Sequence, residues 1–115
     1  MNMSPVDALA CMMIGHALAD YPLQGDWLAK AKNHTIEVIP GQVIWPLAMA
    51  SHAAIHAGAV KLATGSWFLA ALEFVAHCLI DIEKCAGRLS YNQDQLLHIA
   101  CKLFWFGLLL SGPIP

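Results

Sequence analysis

Apolar residues gather into four long stretches along the chain, at 6–23, 43–63, 67–85 and 94–110. Turn residues separate them. Pro22 and Gly25 close the first, Pro40 and Gly41 precede the second, and Gly65 and Ser66 lead into the third. The segment 87–92 precedes the fourth, which ends at Gly112 and Pro113. Such residues punctuate regular structure because glycine admits positive φ and proline cannot donate a backbone hydrogen bond. Each stretch is roughly 18–20 residues, about the length of helix that spans a hydrocarbon core. The pattern predicts an all-α fold: a four-transmembrane-helix bundle forming a single membrane domain over residues 1–115.

The polar positions favour that reading. A helix of a soluble bundle needs a polar outer face, yet the second stretch offers only Ser51, His52, His56 and Lys61, and residues 104–110 read FWFGLLL. A soluble bundle of this sequence would need oligomerisation to hide its apolar surface. Trp27, Trp45, Trp67 and Trp105 stand mostly near stretch ends, as interfacial aromatics do. Lys30 and Lys32 mark the first loop, Lys84 and Arg88 the third, and Lys61 alone the second. The positive-inside rule then puts loops one and three in the cytoplasm and both termini outside, as in a multi-pass inner-membrane protein.

Composition sharpens this. Of 115 residues, 58% are hydrophobic and 12% charged, against about 25% charged in an ordinary soluble domain. Eight acidic residues face six basic ones, leaving no basic patch for nucleic acid. Cys11, Cys78, Cys85 and Cys101 are isolated in apolar runs and form no C-x-x-C pair, which argues against a zinc knuckle or redox motif. The N-terminus lacks a basic start and a small-residue cleavage site, so the first stretch is expected to remain in the mature protein.

The few polar residues inside the stretches are regularly placed. His16 and Asp20, His52 and His56, His77 and Asp81, and Asp94 and His98 are each four residues apart. That spacing puts both members of a pair on one helix face, one turn apart. Glu73 and Gln24 extend two of the stripes. An ionisable group at mid-membrane costs roughly 2.5–3.5 kcal/mol, so several need compensation. Divalent cations supply it, because they take carboxylate and imidazole together. In the predicted topology Asp20, Asp81 and Asp94 form one layer, and His16, His77 and His98 the next. This is similar to the inward-facing ligands of di-metal four-helix bundles. His52 joins the set, and His56 lies above the cage by depth. The alternative is a metal-free cluster in which His and Asp bond each other. Glu73 is either an outer-shell group or a general base. Lys84 and Lys102 can snorkel, or Lys84 can anchor an anionic substrate group at the mouth. His34, in the first loop, reads as a solvated residue.

These motifs resemble a small bacterial and phage membrane family, domain of unknown function 3307. Its pattern is H-x-x-x-D-x-x-x-Q, then H-x-x-x-H, H-x-x-x-D-x-x-K and D-Q-x-x-H. Here these read His16, Asp20 and Gln24, then His52 and His56, then His77, Asp81 and Lys84, then Asp94, Gln95 and His98. Lys30 or Lys32 stands for the basic residue that follows the first motif. The resemblance covers nearly the whole chain and is similar in style to small proteins labelled membrane metal-dependent hydrolases. The brevity of the chain suits a phage or prophage origin.

The cage implies a metal-dependent hydrolase. Two divalent ions (Zn, Mn or Fe) held by these residues would activate water against a phosphoryl or acyl centre. A lipid-linked or phosphate-ester substrate would suit a site near the cytoplasmic face. Two other expectations compete with it. One is a metal or proton carrier, although a pore needs ligands spread along its axis. The other is a non-catalytic protein, a homo-oligomer or a regulator bound to a host membrane partner.

Overall fold

The computed structural model describes residues 3–115. Five helices follow one another: α1 (Pro5–Asp20), α2 (Gly25–Ala31), α3 (Trp45–Thr64), α4 (Trp67–Cys85) and α5 (Tyr91–Ser111). Local chemistry fixes their ends. The Ser4 side chain accepts from the Asp7 amide at the start of α1, and Pro5 takes the first turn, where its missing N–H costs nothing. Gly65 ends α3 with φ +75°, and Ser66 at once caps α4 by accepting from Leu69 N at 3.0 Å. A two-residue connection therefore turns the chain back on itself. Ser90 and Gln93 form a reciprocal capping box that starts α5 three residues before Asp94.

Short connections make α3, α4 and α5 successively antiparallel. Each long helix packs on two neighbours, in the ring α1–α3–α4–α5, while α2 rests against α3. The buried face repeats every three to four residues on each helix: Met12 and His16; His52, His56 and Val60; Leu69, Glu73, His77 and Asp81; Asp94, His98, Lys102 and Trp105. One end of the bundle is thus apolar, with Met12, Val60, Ala63, Leu69 and Trp105 in contact. The other end is polar. Gly15 lets α1 and α3 come close, since a Cβ there would lie 2.9 Å from the Ala59 Cβ.

The predicted transmembrane bundle is overturned. No helix among the described residues is long and apolar enough to cross a membrane. α1 has 16 residues, about 24 Å at 1.5 Å per residue, short of the roughly 30 Å of a hydrocarbon core. α3 is long enough but Ala-rich, with Ser51, His52, His56 and Lys61. α4 carries Glu73, Asp81, Glu83 and Lys84, and α5 carries Asp94 and Lys102. In the longer helices the inward stripes that suggested a site are what dilute the apolar run below spanning hydropathy. The multi-pass inner-membrane placement and the outward termini fall with the spans. Trp105 is a core residue rather than an interfacial one. The first loop also contains α2, and α1 stops at Asp20 instead of running to Leu23.

Candidate metal centre

At the polar end, five imidazoles point their Nε2 atoms at two carboxylates. Asp20 receives His56 at 2.8 Å, His52 at 3.2 Å and His16 at 3.4 Å. Asp81 receives His98 at 3.0 Å, His77 at 3.3 Å and His52 at 3.6 Å. A third carboxylate, Asp94, stands 3.4 Å from His98. Their stripes explain the convergence: α1, α4 and α5 each bring an i, i+4 His/Asp pair, and α3 brings His52 and His56 from the facing wall. Every one of these imidazoles is buried, and His52, His77 and His98 are fully so.

The spacing separates hydrogen bonds from other contacts. His56–Asp20 and His98–Asp81 have hydrogen-bond lengths. His52 and His77 lie close to carboxylates, yet their Nε2 atoms make no hydrogen bond. Ligand atoms about 2.0–2.1 Å from one tetrahedral ion stand ~3.3 Å from each other. The 3.2–3.4 Å contacts fit that edge length. Two groups can accept an ion: Asp20, His52, His56 and His77, and His77, Asp81 and His98.

Electrostatics follow from burial. It raises the carboxyls of Asp20 and Asp81, but the imidazoles beside them outweigh it and hold both well below the usual carboxylate range. Burial takes His77 down to about 2 and His56 to about 4, so both rings are neutral near pH 7. It lowers His16 as well, against the Gln95 side chain. For His98 burial loses to its bonds with Asp81 and Asp94, which raise it to about 9. Neutral imidazole and ionised carboxylate are the forms that bind cations, so His98 would have to release its proton to serve as a ligand.

The carboxylates open onto a cavity of about 200 Å³ lined by Asp20, Asp81, Asp94, Lys32, Lys84 and the two tyrosines Tyr21 and Tyr91, among others. Gln95 ties the layer together. Its Nε2 donates to Asp20 at 2.8 Å and to Asp94 at 3.2 Å, and its Oε1 meets His16 Nε2 at 3.0 Å.

The family described as a protein of unknown function, DUF3307, matches residues 8–110. The chain belongs to the DUF3307 family. No curated protein and no solved structure matches it.

Within this DUF3307 chain, the eight residues expected as metal ligands lie in one cluster, including His56, which the depth reckoning had set apart, but His16 and Asp94 belong to neither ion-accepting group. Of the two residues expected to serve catalysis, Lys84 lines the cavity. Glu73 does not: it is fully buried and paired with Lys102, one turn below His77 and His98. Burial raises its carboxyl and the ammonium opposes that. Glu73 is therefore placed behind the imidazoles, away from solvent. Gln24 also lines the cavity, while the exposed His34 lies elsewhere with its ring tilted against Trp45. Sequence reasoning missed Lys32 and Gln95. Lys32 Nζ sits 2.7 Å from Asp81 Oδ2 in nearly complete burial. Its signal was the basic residue after the first motif, left open between Lys30 and Lys32. Gln95 lies one residue off its helix stripe, and only the D-Q-x-x-H motif pointed to it.

Proposed function

We propose that the chain is a metal-dependent hydrolase whose His/Asp cluster holds two divalent cations. The observation that carries this is the convergence of five Nε2 atoms on Asp20 and Asp81, those of His16, His52 and His77 at ligand-edge spacing, next to an open cavity. A mixed imidazole and carboxylate set suits Zn, Mn or Fe. Such ions acidify water and polarise the oxygen of an ester or anhydride. The protein's own groups then divide the work. Asp20 and Asp81 offset part of the positive charge, Gln95 fixes the orientation of Asp20, and the buried rings exclude bulk solvent from behind. The reaction adds water across a P–O or C–O bond: the water oxygen joins the phosphoryl or acyl centre, and its proton leaves with the alcohol.

A second reading is a metal-free polar lock, favoured by the ordinary hydrogen-bond lengths of His56–Asp20 and His98–Asp81. Elemental analysis of the purified chain divides the two. The hydrolase should carry Zn, Mn or Fe in near-stoichiometric amount. Asp81→Asn should lose both the metal and any ester-hydrolysing activity while remaining helical by circular dichroism. A native protein without metal, which also takes up none when dialysed against these ions, sinks the hydrolase and leaves the lock.

A further inference from the structure

The cavity holds a charge arrangement that the ligand set does not use. Lys84 lines it half-buried and forms no salt bridge among the described residues. Lys32 lines it too, but its ammonium is tied to Asp81 Oδ2. The same oxygen is flanked by His77 Nε2 at 3.3 Å and His52 Nε2 at 3.6 Å. An ammonium and a divalent cation therefore compete for one carboxylate oxygen, and like charges at such range repel strongly in a poorly hydrated site. Lys32 follows the seven-residue α2, so its long side chain hangs from a short element at the mouth.

We infer that the cavity takes the dianionic head of a phosphate monoester, with Lys84 as one cationic partner and Lys32, freed from Asp81 by a bound cation, as the other. This rests on the hydrolase reading. Three carboxylates, Asp20, Asp81 and Asp94, face two lysines, so the two divalent cations of the hydrolase reading would leave three positive charges in excess, more than a monoanion offsets. A carboxylate or a phosphodiester brings a single negative charge, whereas a monoester brings two. Lysine is a compact point charge and a common phosphate partner. Volume agrees. At about 200 Å³ the cavity is smaller than the roughly 300–1,000 Å³ of sites that enclose drug-sized ligands. It admits a phosphoryl group and the first atoms of its alcohol. Tyr21 and Tyr91, hydroxyl to hydroxyl and about half exposed, stand where that alcohol would leave.

The test uses cation-loaded full-length chain, with metal content measured alongside. Calorimetric titration with inorganic phosphate should show binding to the wild type. Lys84→Met should keep the metal and lose at least tenfold in phosphate affinity, and Lys84→Arg should restore most of it. p-Nitrophenyl phosphate should be hydrolysed faster than bis(p-nitrophenyl) phosphate, with Lys84→Met lowering kcat/KM for the monoester alone. Lys84→Gln replaces Lys84→Met if the latter does not fold. A metal-replete wild type that ignores phosphate, or that prefers the diester, overturns the substrate assignment and leaves the hydrolase standing. So does a Lys84→Met variant with unchanged phosphate affinity. A wild type that takes up no metal removes the hydrolase reading and this inference together.

Discussion

His98 lies between two carboxylates, 3.0 Å from Asp81 and 3.4 Å from Asp94. Burial favours its neutral form, but these partners outweigh it and raise the ring from 6.5 to about 9. Its contribution to stability is therefore complete below pH 6.5 and is lost as pH rises through 9. His56 and His77 behave oppositely. Buried neutral, they are lowered to about 4 and about 2. Between pH 6.5 and those values the unfolded chain binds protons that the folded one refuses, so stability is lost as pH drops. Below about pH 4, protonation of Asp20 and Asp81, both lowered in the fold, adds to that loss. The metal-stripped protein should accordingly be most stable near pH 6.5, the ordinary value of all three rings. Thermal melts from pH 4 to 10 should show decline on both sides. His98→Gln should flatten the alkaline limb, removing a contribution of about 3 kcal/mol. An alkaline limb unchanged by that substitution would mean that His98 is neutral in the fold.

The helices meet closely enough to build the centre because α1 and α3 nearly touch at Gly15 and Ala59. Alanine is the better helix former by about 1 kcal/mol, so propensity alone predicts that Gly15→Ala stabilises α1. The clash decides otherwise. The new Cβ would stand 2.9 Å from the Ala59 Cβ, an atom fixed to the backbone that cannot swing aside. We expect Gly15→Ala to destabilise by about 1–3 kcal/mol and to weaken the proposed metal binding, since His16 and Asp20 must withdraw from His52 and His56. Ala59→Gly in the same chain should restore both. Gly107→Ala, with nothing within 4 Å, should be neutral or stabilising when all three variants are compared by urea titration. At this scale the sequence was informative. The i, i+4 pairs and the turn residues outlined the four long helices and the stripes that meet at the centre. It was less informative where two physical causes leave one pattern. Val6, Ile14, Leu62, Leu79 and Leu110 are apolar and exposed, and apolar residues on both faces of a helix look the same as a lipid-facing span. α2 was invisible because seven residues with Gly25 and Asp26 at the start resemble a loop. Lys32 follows it with no periodicity to betray its inward turn.

For the molecule as a whole, the centre concentrates cost at one end of the bundle. Asp20, Asp81 and Asp94 are crowded together, and the Nδ1 atoms of His16, His52, His56, His77 and His98 are buried without partners. Each unpaired buried polar atom costs on the order of 1–3 kcal/mol, while the compensating apolar cluster of Met12, Val60, Ala63, Leu69 and Trp105 is small. A cation that binds only the folded chain stabilises it by RT ln(1 + [L]/Kd), about 2.7 kcal/mol at a hundredfold excess over Kd. For a chain of this size each kcal/mol moves Tm by roughly 3–6 °C, so a fitting ion should raise Tm by about 8–16 °C. The rise should shrink on acidification, because protons compete for the imidazoles that the ion needs neutral. Melts of chelator-stripped protein titrated with Zn, Mn and Fe(II), and with Mg as a hard-ion control, measure this. Asp20→Asn and Asp81→Asn should each abolish most of the rise. If no ion moves Tm at any pH, the buried rings are held by the carboxylates alone and the centre is a polar lock.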